Sequence, residues 1–260
     1  MTRSSAAEIL ARQRLSLAPV TLEPGQRPVE EREAYALQAE ANGLLAEALG
    51  RISGHKIGCT TPVMQEFLGI ASPCAGQVFD RTVLSQAGQV SRASYRKLGV
   101  ECEIVVEIGT DIEPRRQDHT RQSVESHVRA AMAGIEIVDD RYADYRSLGV
   151  HTLIADNFFN AGCVLGSPVT GWQALDLVSL TGHMRINDSE VGRGTGAMVM
   201  GHPLEALAWL ANARSARGEG LRRGEFVFLG SLVETKWLNA GDMVMIEVEG
   251  LGQVSLTVSA

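Results

Sequence analysis

The chain has 260 residues, 45% of them hydrophobic, and a formal charge of -7 with a pI near 5.4. That length can bury one large core or two modest ones, and the acidic balance excludes a globally basic surface of the kind nucleic acid selects. No apolar run approaches the roughly 18 residues of a membrane span, and the N-terminal stretch M-T-R-S-S-A-A-E-I-L-A-R-Q-R-L carries charges throughout, without a secretory apolar region. Cys59, Cys74, Cys102 and Cys163 form no C-x-x-C pair, which predicts reduced thiols in a cytoplasmic protein.

In chain order, a helix is predicted over about Ser5–Leu15. A second starts after Pro28 and runs toward Gly50, where Ala34, Leu37, Ala41, Leu44 and Leu45 recur at helical spacing. G-H-K-I-G-C-T-T reads as a short strand ending in a polar turn, and V-M-Q-E-F-L-G-I as a short helix closed by Gly69. From about Ser72 the character is β. G-Q-V-F-D, V-E-C-E-I-V-V-E-I, I-E-I-V-D, A-G-C-V-L-G, M-R-I-N, E-F-V-F-L-G, M-V-M-I-E-V and V-S-L-T-V are predicted strands, punctuated by Gly, Asp and Asn. Helices are predicted near Ser123–Ala133 and from Pro203 to about Ala216, and a terminal hairpin turns at Glu249–Gly252. Many strands interrupted by few helices imply an α+β fold with mainly antiparallel or mixed sheets. Residues 1–70 would form a smaller helical cap region and 71–260 a mixed-β domain carrying the chemistry. There is no internal repeat.

One strand raises a chemical question. In V-E-C-E-I-V-V-E-I-G the even positions are apolar, while Glu101, Glu103 and Glu107 share the other face. Like charges two residues apart repel at roughly 7 Å. A further carboxylate, Glu136, sits inside the apolar run A-G-I-E-I-V-D-D-R, where burial is costly unless it is paired or bound to a cation. Glu101, Glu103 and Glu136 would therefore make an oxygen-only site for Mg²⁺, Mn²⁺ or Ca²⁺. A solvated acidic face with an unrelated Glu136 is the plainer alternative. Of the other motifs, G-R-G-T-G (192–196) lacks the strand-then-helix setting of a dinucleotide fingerprint, since a strand-like A-M-V-M follows it. The histidines show no H-E-x-x-H spacing, and Ser231 has no nucleophile elbow.

The chain resembles the 2-keto-4-pentenoate hydratase and 4-oxalocrotonate decarboxylase group of the fumarylacetoacetate hydrolase-like superfamily. The resemblance rests on G-H-K-I-G-C-T-T, V-E-C-E-I, I-E-I-V-D-D-R, I-A-D-N, G-H-P-L-E-A-L-A-W-L-A, L-G-S-L, A-G-D and E-G-L-G-Q-V, in the family's order from about residue 35 onward. It implies that family's mixed β-sheet and β-roll fold, with Glu101, Glu103 and Glu136 binding Mg²⁺ or Mn²⁺. It implies that Lys56 transfers protons or holds the substrate, and that Asp80 orients Lys56 or moves protons itself. Gly230, Ser231 and Leu232 would hold a substrate carboxylate, with Asn157 and Asn160 beside them. The departures are D-N-F-F-N (156–160), where the group has small residues, and V-E-T-K-W-L (233–238). Phe158 and Phe159 would reshape the pocket if they face it. The implied activity is hydration of a 2-hydroxy-2,4-dienoate. Decarboxylation of a 4-oxalocrotonate-type diacid, C–C bond hydrolysis and a non-catalytic scaffold partner are the alternatives. A small 2-oxo acid substrate and a homo-oligomer are the implied partners.

Overall fold

The computed structural model describes residues 5–260; the first four residues of the expected N-terminal region lie outside it. Ser5 caps α1 (Ala6–Leu15) in a capping box with Glu8. After α2 (Glu31–Leu49) comes β1 (Ile52–Gly58), then α3 (Pro62–Leu68), which ends at left-handed Gly69. The chain continues as β2 (Cys74–Phe79), β3 (Val83–Ser85), β4 (Ala87–Ser91) and β5 (Leu98–Ile108). There follow α4 (Arg121–Glu125), β6 (Val128–Asp139), α5 (Tyr145–Leu148), α6 (Val150–Ala155) and β7 (Asn160–Leu165). The last elements are β8 (Thr181–Ile186), β9 (Ser189–Thr195), α7 (Pro203–Ser215), β10 (Phe226–Trp237), β11 (Met243–Val248) and β12 (Gly252–Ser259).

The strands form a seven-stranded sheet, ordered β2-β1-β10-β5-β6-β7-β3, and a five-stranded sheet, ordered β4-β12-β11-β8-β9. Both are mixed: β1 with β10, β3 with β7 and β4 with β12 run parallel, and the other pairs antiparallel. The expected α+β architecture is therefore present. β1 from the expected N-terminal region lies inside the larger sheet, between β2 and β10. Among the described residues no helix is long and apolar enough to cross a membrane.

Alternation on β5 decides what each face of the large sheet does. Val100, Cys102, Ile104, Val106 and Ile108 are fully buried, and Cys102 together with Leu232 of β10 packs toward Gly182 of the second sheet. The opposite face carries Glu101 and Glu103, and farther along an apolar cluster of Val78, Val105, Met132, Cys163, Phe226 and Phe228.

Two sequence expectations are corrected. The helix expected near Ser123–Ala133 is only the short α4, and Val128–Ala133 belongs to β6. The alanines of V-R-A-A-M-A favour helix, but eleven residues of register with β5 bury them in the sheet, and tertiary pairing overrides propensity. A-M-V-M is not a strand; Gly196–Met198 form a 3₁₀ turn. The preceding glycines serve sheet packing. A Cβ on Gly194 would sit 1.9 Å from the Leu232 carbonyl oxygen, and one on Gly192 2.3 Å from Val233 Cγ1. We therefore expect Gly194→Ala to lower stability by about 1–3 kcal/mol, because backbone cannot yield as a side chain does. Urea unfolding followed by circular dichroism measures this, and an unchanged midpoint would contradict the close sheet contact.

Candidate metal centre

The register of the large sheet assembles a polar cluster on one face. Glu101 of β5 stands directly opposite Glu136 of β6, and Glu103 opposite Gly134. On the other side, Glu103 faces Ser231 of β10. Lys56 of β1 pairs with Phe228, which pairs with Val105, so the lysine rises from the face that carries the carboxylates. The result brings one oxygen from each of Glu101, Glu103 and Glu136 within 4.8 Å of the others. Glu103 and Glu136 are fully buried, and Lys56 is 3% exposed.

Each group has its own partners. Lys56 Nζ lies 3.3 Å from Glu136 Oε2. Asn160 Nδ2 donates to Glu136 Oε1 at 3.0 Å, and the Gly230 N–H donates to Glu103 Oε2 at 2.7 Å. The Thr235 hydroxyl donates to Glu101 Oε1. Glu103 Oε1 and Asn160 Oδ1 are buried with no hydrogen-bond partner. Burial, then the neighbouring carboxylates, pushes Glu103 well above the ordinary glutamate range. Burial pushes Glu136 up to about 7 even against Lys56. The ammonium of Lys56 is destabilised by burial, but Glu136, Glu101 and Glu103 together outweigh that and hold it charged.

These features fit a hard divalent cation. The donor set is all oxygen, one buried carboxylate oxygen has no partner, and three carboxylates against one ammonium leave two negative charges.

The flanking segments shape the space around Lys56. A Cβ on Gly76, its cross-strand partner, would meet Lys56 Cγ at 3.1 Å and the Asn157 carbonyl oxygen at 2.8 Å; one on Gly58 would meet the Phe158 ring at 2.6 Å. The Phe158 ring lies under the ammonium, 5.1 Å from Nζ to centroid. Phe158 therefore does face the cluster. Asn157, Phe158 and Phe159 all have positive φ (65°, 46° and 66°), which for non-glycine residues costs about 1–3 kcal/mol each. Two clamps hold them there. The Asn157 side chain pairs with the Gln77 main chain through Oδ1 (2.7 Å) and Nδ2 (2.6 Å). Just before it, buried Asp156 accepts from Arg141 at 2.6 Å and from the Tyr142 hydroxyl at 2.8 Å.

Not every sequence candidate reaches the cluster. Asp80 lies past the end of β2, with its N–H bonded to the Arg51 carbonyl and its carboxylate 3.5 Å from Arg51 Nε. Arg51 is five residues from Lys56, about 16 Å along an extended strand, so Asp80 makes no contact through which to orient that lysine. Asn157 is a clamp, and Leu232 faces the second sheet. L-G-S-L is a bulged segment within β10. In it Gly230 holds Glu103 and the Ser231 hydroxyl donates to the Val233 carbonyl. Asn160 bonds a carboxylate of the cluster. Thr235 was missed from sequence because alternation from Val233, which faces the second sheet, would turn it away from the cluster; a register shift between Val233 and Lys236 brings it to Glu101.

The comparisons agree with this architecture. A sequence profile described as "Fumarylacetoacetate (FAA) hydrolase C-terminal" matches residues 71–259, and the chain belongs to that family. It is 35% identical over 224 residues to a 2-keto-4-pentenoate hydratase of Paraburkholderia xenovorans (strain LB400), covering 85% of this chain and 81% of that protein. It is 31% identical over 243 residues to a 2-hydroxyhexa-2,4-dienoate hydratase of Comamonas testosteroni, covering 93% and 90%. Among solved structures, 4-oxalocrotonate decarboxylase from Pseudomonas putida G7, complexed with magnesium and adipate, superposes with a TM-score of 0.89 at 26% identity, over 97% of this chain and 95% of that one.

Glu103→Gln removes a charge that the metal-free fold holds at a cost. We expect its melting temperature in chelator to equal or exceed that of the parent, while its Mg²⁺ or Mn²⁺ affinity by titration calorimetry falls at least about tenfold. For Asn160→Ala the expected loss of affinity is also roughly 10–100-fold, since it fixes the Glu136 carboxylate of the cluster. Parental affinity in both variants would remove the case for a metal site here.

Proposed function

We propose that this chain adds water to 2-hydroxy-2,4-dienoates to give 4-hydroxy-2-oxo acids, with Glu101, Glu103 and Glu136 holding Mg²⁺ or Mn²⁺. The observation that carries the reading is the buried three-carboxylate cluster with Lys56 against it, in a chain 31–35% identical to curated hydratases of such acids. A divalent cation held by Glu101, Glu103 and Glu136 would supply Lewis-acid polarisation to a bound 2-oxo acid. The chain's own residues supply the rest. Gly230, Asn160 and Thr235 fix the three carboxylates in place before substrate arrives. The Phe158 ring keeps solvent from the Lys56 ammonium, which strengthens its interaction with an anionic substrate.

Lys56 is placed to give its proton to the far end of the dienol and to take up the proton that the 2-hydroxyl loses, which restores the ammonium and gives the conjugated 2-oxo acid. Water then adds to the remaining double bond. The geometry favours Lys56 over Asp80 as the proton donor because only Lys56 touches the cluster. Free thiols at all four cysteines fit a cytoplasmic setting, which belongs to the same proposal together with self-association.

Decarboxylation of a 2-oxo diacid is the second reading, favoured by the 0.89 superposition on the decarboxylase. One assay separates the two. With 2-hydroxypenta-2,4-dienoate we expect the dienol absorbance to decay in Mg²⁺ or Mn²⁺ without CO₂ release, and the decay to stop in chelator. CO₂ from 4-oxalocrotonate with no hydration would reverse the order of the readings, and no turnover of any short-chain dienoate would remove the first. For Lys56→Ala we expect turnover to fall about 10²–10⁴-fold with metal affinity changed only a few-fold. Equal loss of both would make Lys56 a support for the metal instead.

A further inference from the structure

Beside Lys56 lies a pair of thiols that the proposed chemistry leaves unused. Gly58 of β1 is in register with Cys74 of β2, and Cys59 follows at once. Strand spacing puts the Cα atoms of Cys59 and Cys74 about 6 Å apart, inside the range a disulfide spans. Cys59 has a left-handed φ of 58°, which turns the chain out of the strand there. The two thiols lie close enough to perturb each other's ionisation. Cys74 is 2% exposed, whereas Cys59 is partly open to solvent. The neighbouring Cys74 thiol, against burial and helped by the Lys56 ammonium, holds the Cys59 thiol below the ordinary range. Thiolate character together with access is what selects a cysteine for oxidation. Cys102 and Cys163 are both fully buried.

The two cysteines also flank one excursion of the chain. Residues 60–73 leave the sheet after Cys59, form α3 and return at Cys74. Thr60 lies against Gly230, whose N–H holds Glu103. We propose that Cys59 and Cys74 are a peroxide-sensitive dithiol whose disulfide latches the base of the α3 excursion beside the carboxylate cluster. The Cys59 thiolate attacks one oxygen of hydrogen peroxide. The O–O bond breaks, and Cys59 sulfenic acid forms as hydroxide leaves and takes up a proton. The Cys74 sulfur then attacks the Cys59 sulfur and releases the hydroxyl as water, using the proton Cys74 gives up. In sum two thiols and one peroxide become one disulfide and two waters, and a thiol reductant reverses the change. This site does not depend on the hydratase reading, because its product is covalent.

The test treats the intact reduced chain with hydrogen peroxide and follows mass, free thiols and peptide linkage. Expected are a mass lower by two hydrogen atoms, loss of two titratable thiols, one Cys59–Cys74 cross-linked peptide, recovery with dithiothreitol, and slower amide exchange across α3 in the oxidised form. Cys59→Ser and Cys74→Ser should each abolish the mass change. The partly exposed Cys59 position keeps the test open if the buried variant fails to fold. Over-oxidation of Cys59 with Cys74 still free, linkage to another cysteine, or unaltered exchange in α3 would overturn the latch.

Discussion

Mutual repulsion among Glu101, Glu103 and Glu136 is the constraint around which this site is arranged. Their oxygens approach within 4.8 Å, where each like pair costs on the order of 3 kcal/mol even at an effective dielectric near 20. Lys56 attracts all three, so repulsion and attraction within the quartet roughly offset. What remains is the cost of taking two carboxylates and an ammonium out of water, several kcal/mol per ion. A fold held only by its own contacts gains nothing from such a cluster. A divalent cation changes the balance, since it attracts every carboxylate at once and gives the unpartnered Glu103 oxygen a partner. Stability given up in the free chain would then be recovered as affinity for the ion.

The sheet makes the cluster unavoidable. Antiparallel register between β5 and β6 sets Glu101 opposite Glu136, and a one-residue slip would turn the carboxylates into the core face. That slip is blocked because the alternate residues of β5 are all fully buried toward the second sheet. The parallel strand β1 brings Lys56 in from a part of the chain distant in sequence, across β10. Hydrophobic burial on one face thus sets the electrostatics of the other.

The same logic explains what could be read from the sequence. Glu101, Glu103 and Glu136 were legible because carboxylates in strongly apolar, alternating runs are expensive and therefore informative, and Lys56 because K-I-G travels with them in the family. The strands of the large sheet other than the short β3, and the terminal hairpin, followed from β-branched runs and turn residues. Val128–Ala133 was misread because alanine carries a helical preference that only pairing with β5 overrides. Asp80 was misjudged because sequence order cannot show that it closes the α2–β1 junction, where its carboxylate packs over Gly50. The glycines at 192 and 194 resembled a ligand loop, but the need for them lies in the backbone of another sheet. Such long-range contacts leave no local signature.

The D-N-F-F-N segment places aromatic side chains beside the carboxylate cluster while the cluster itself stays intact. Three consecutive left-handed residues persist only because their surroundings over-determine them. The Asp156–Arg141–Tyr142 network fixes one side, and Asn157 ties the turn to the Gln77 main chain. The strain delivers the Phe158 ring to Lys56 and sets Phe159 edge-on to Tyr142 and Tyr145. An apolar, rigid wall therefore stands beside the ammonium. Such a wall disfavours a second charged group near it, because a carboxylate brought against aromatic rings loses its water without gaining a partner. In the proposed reading the carboxylate cluster sets the chemistry, and the clamped aromatic turn bears on which substrates reach it.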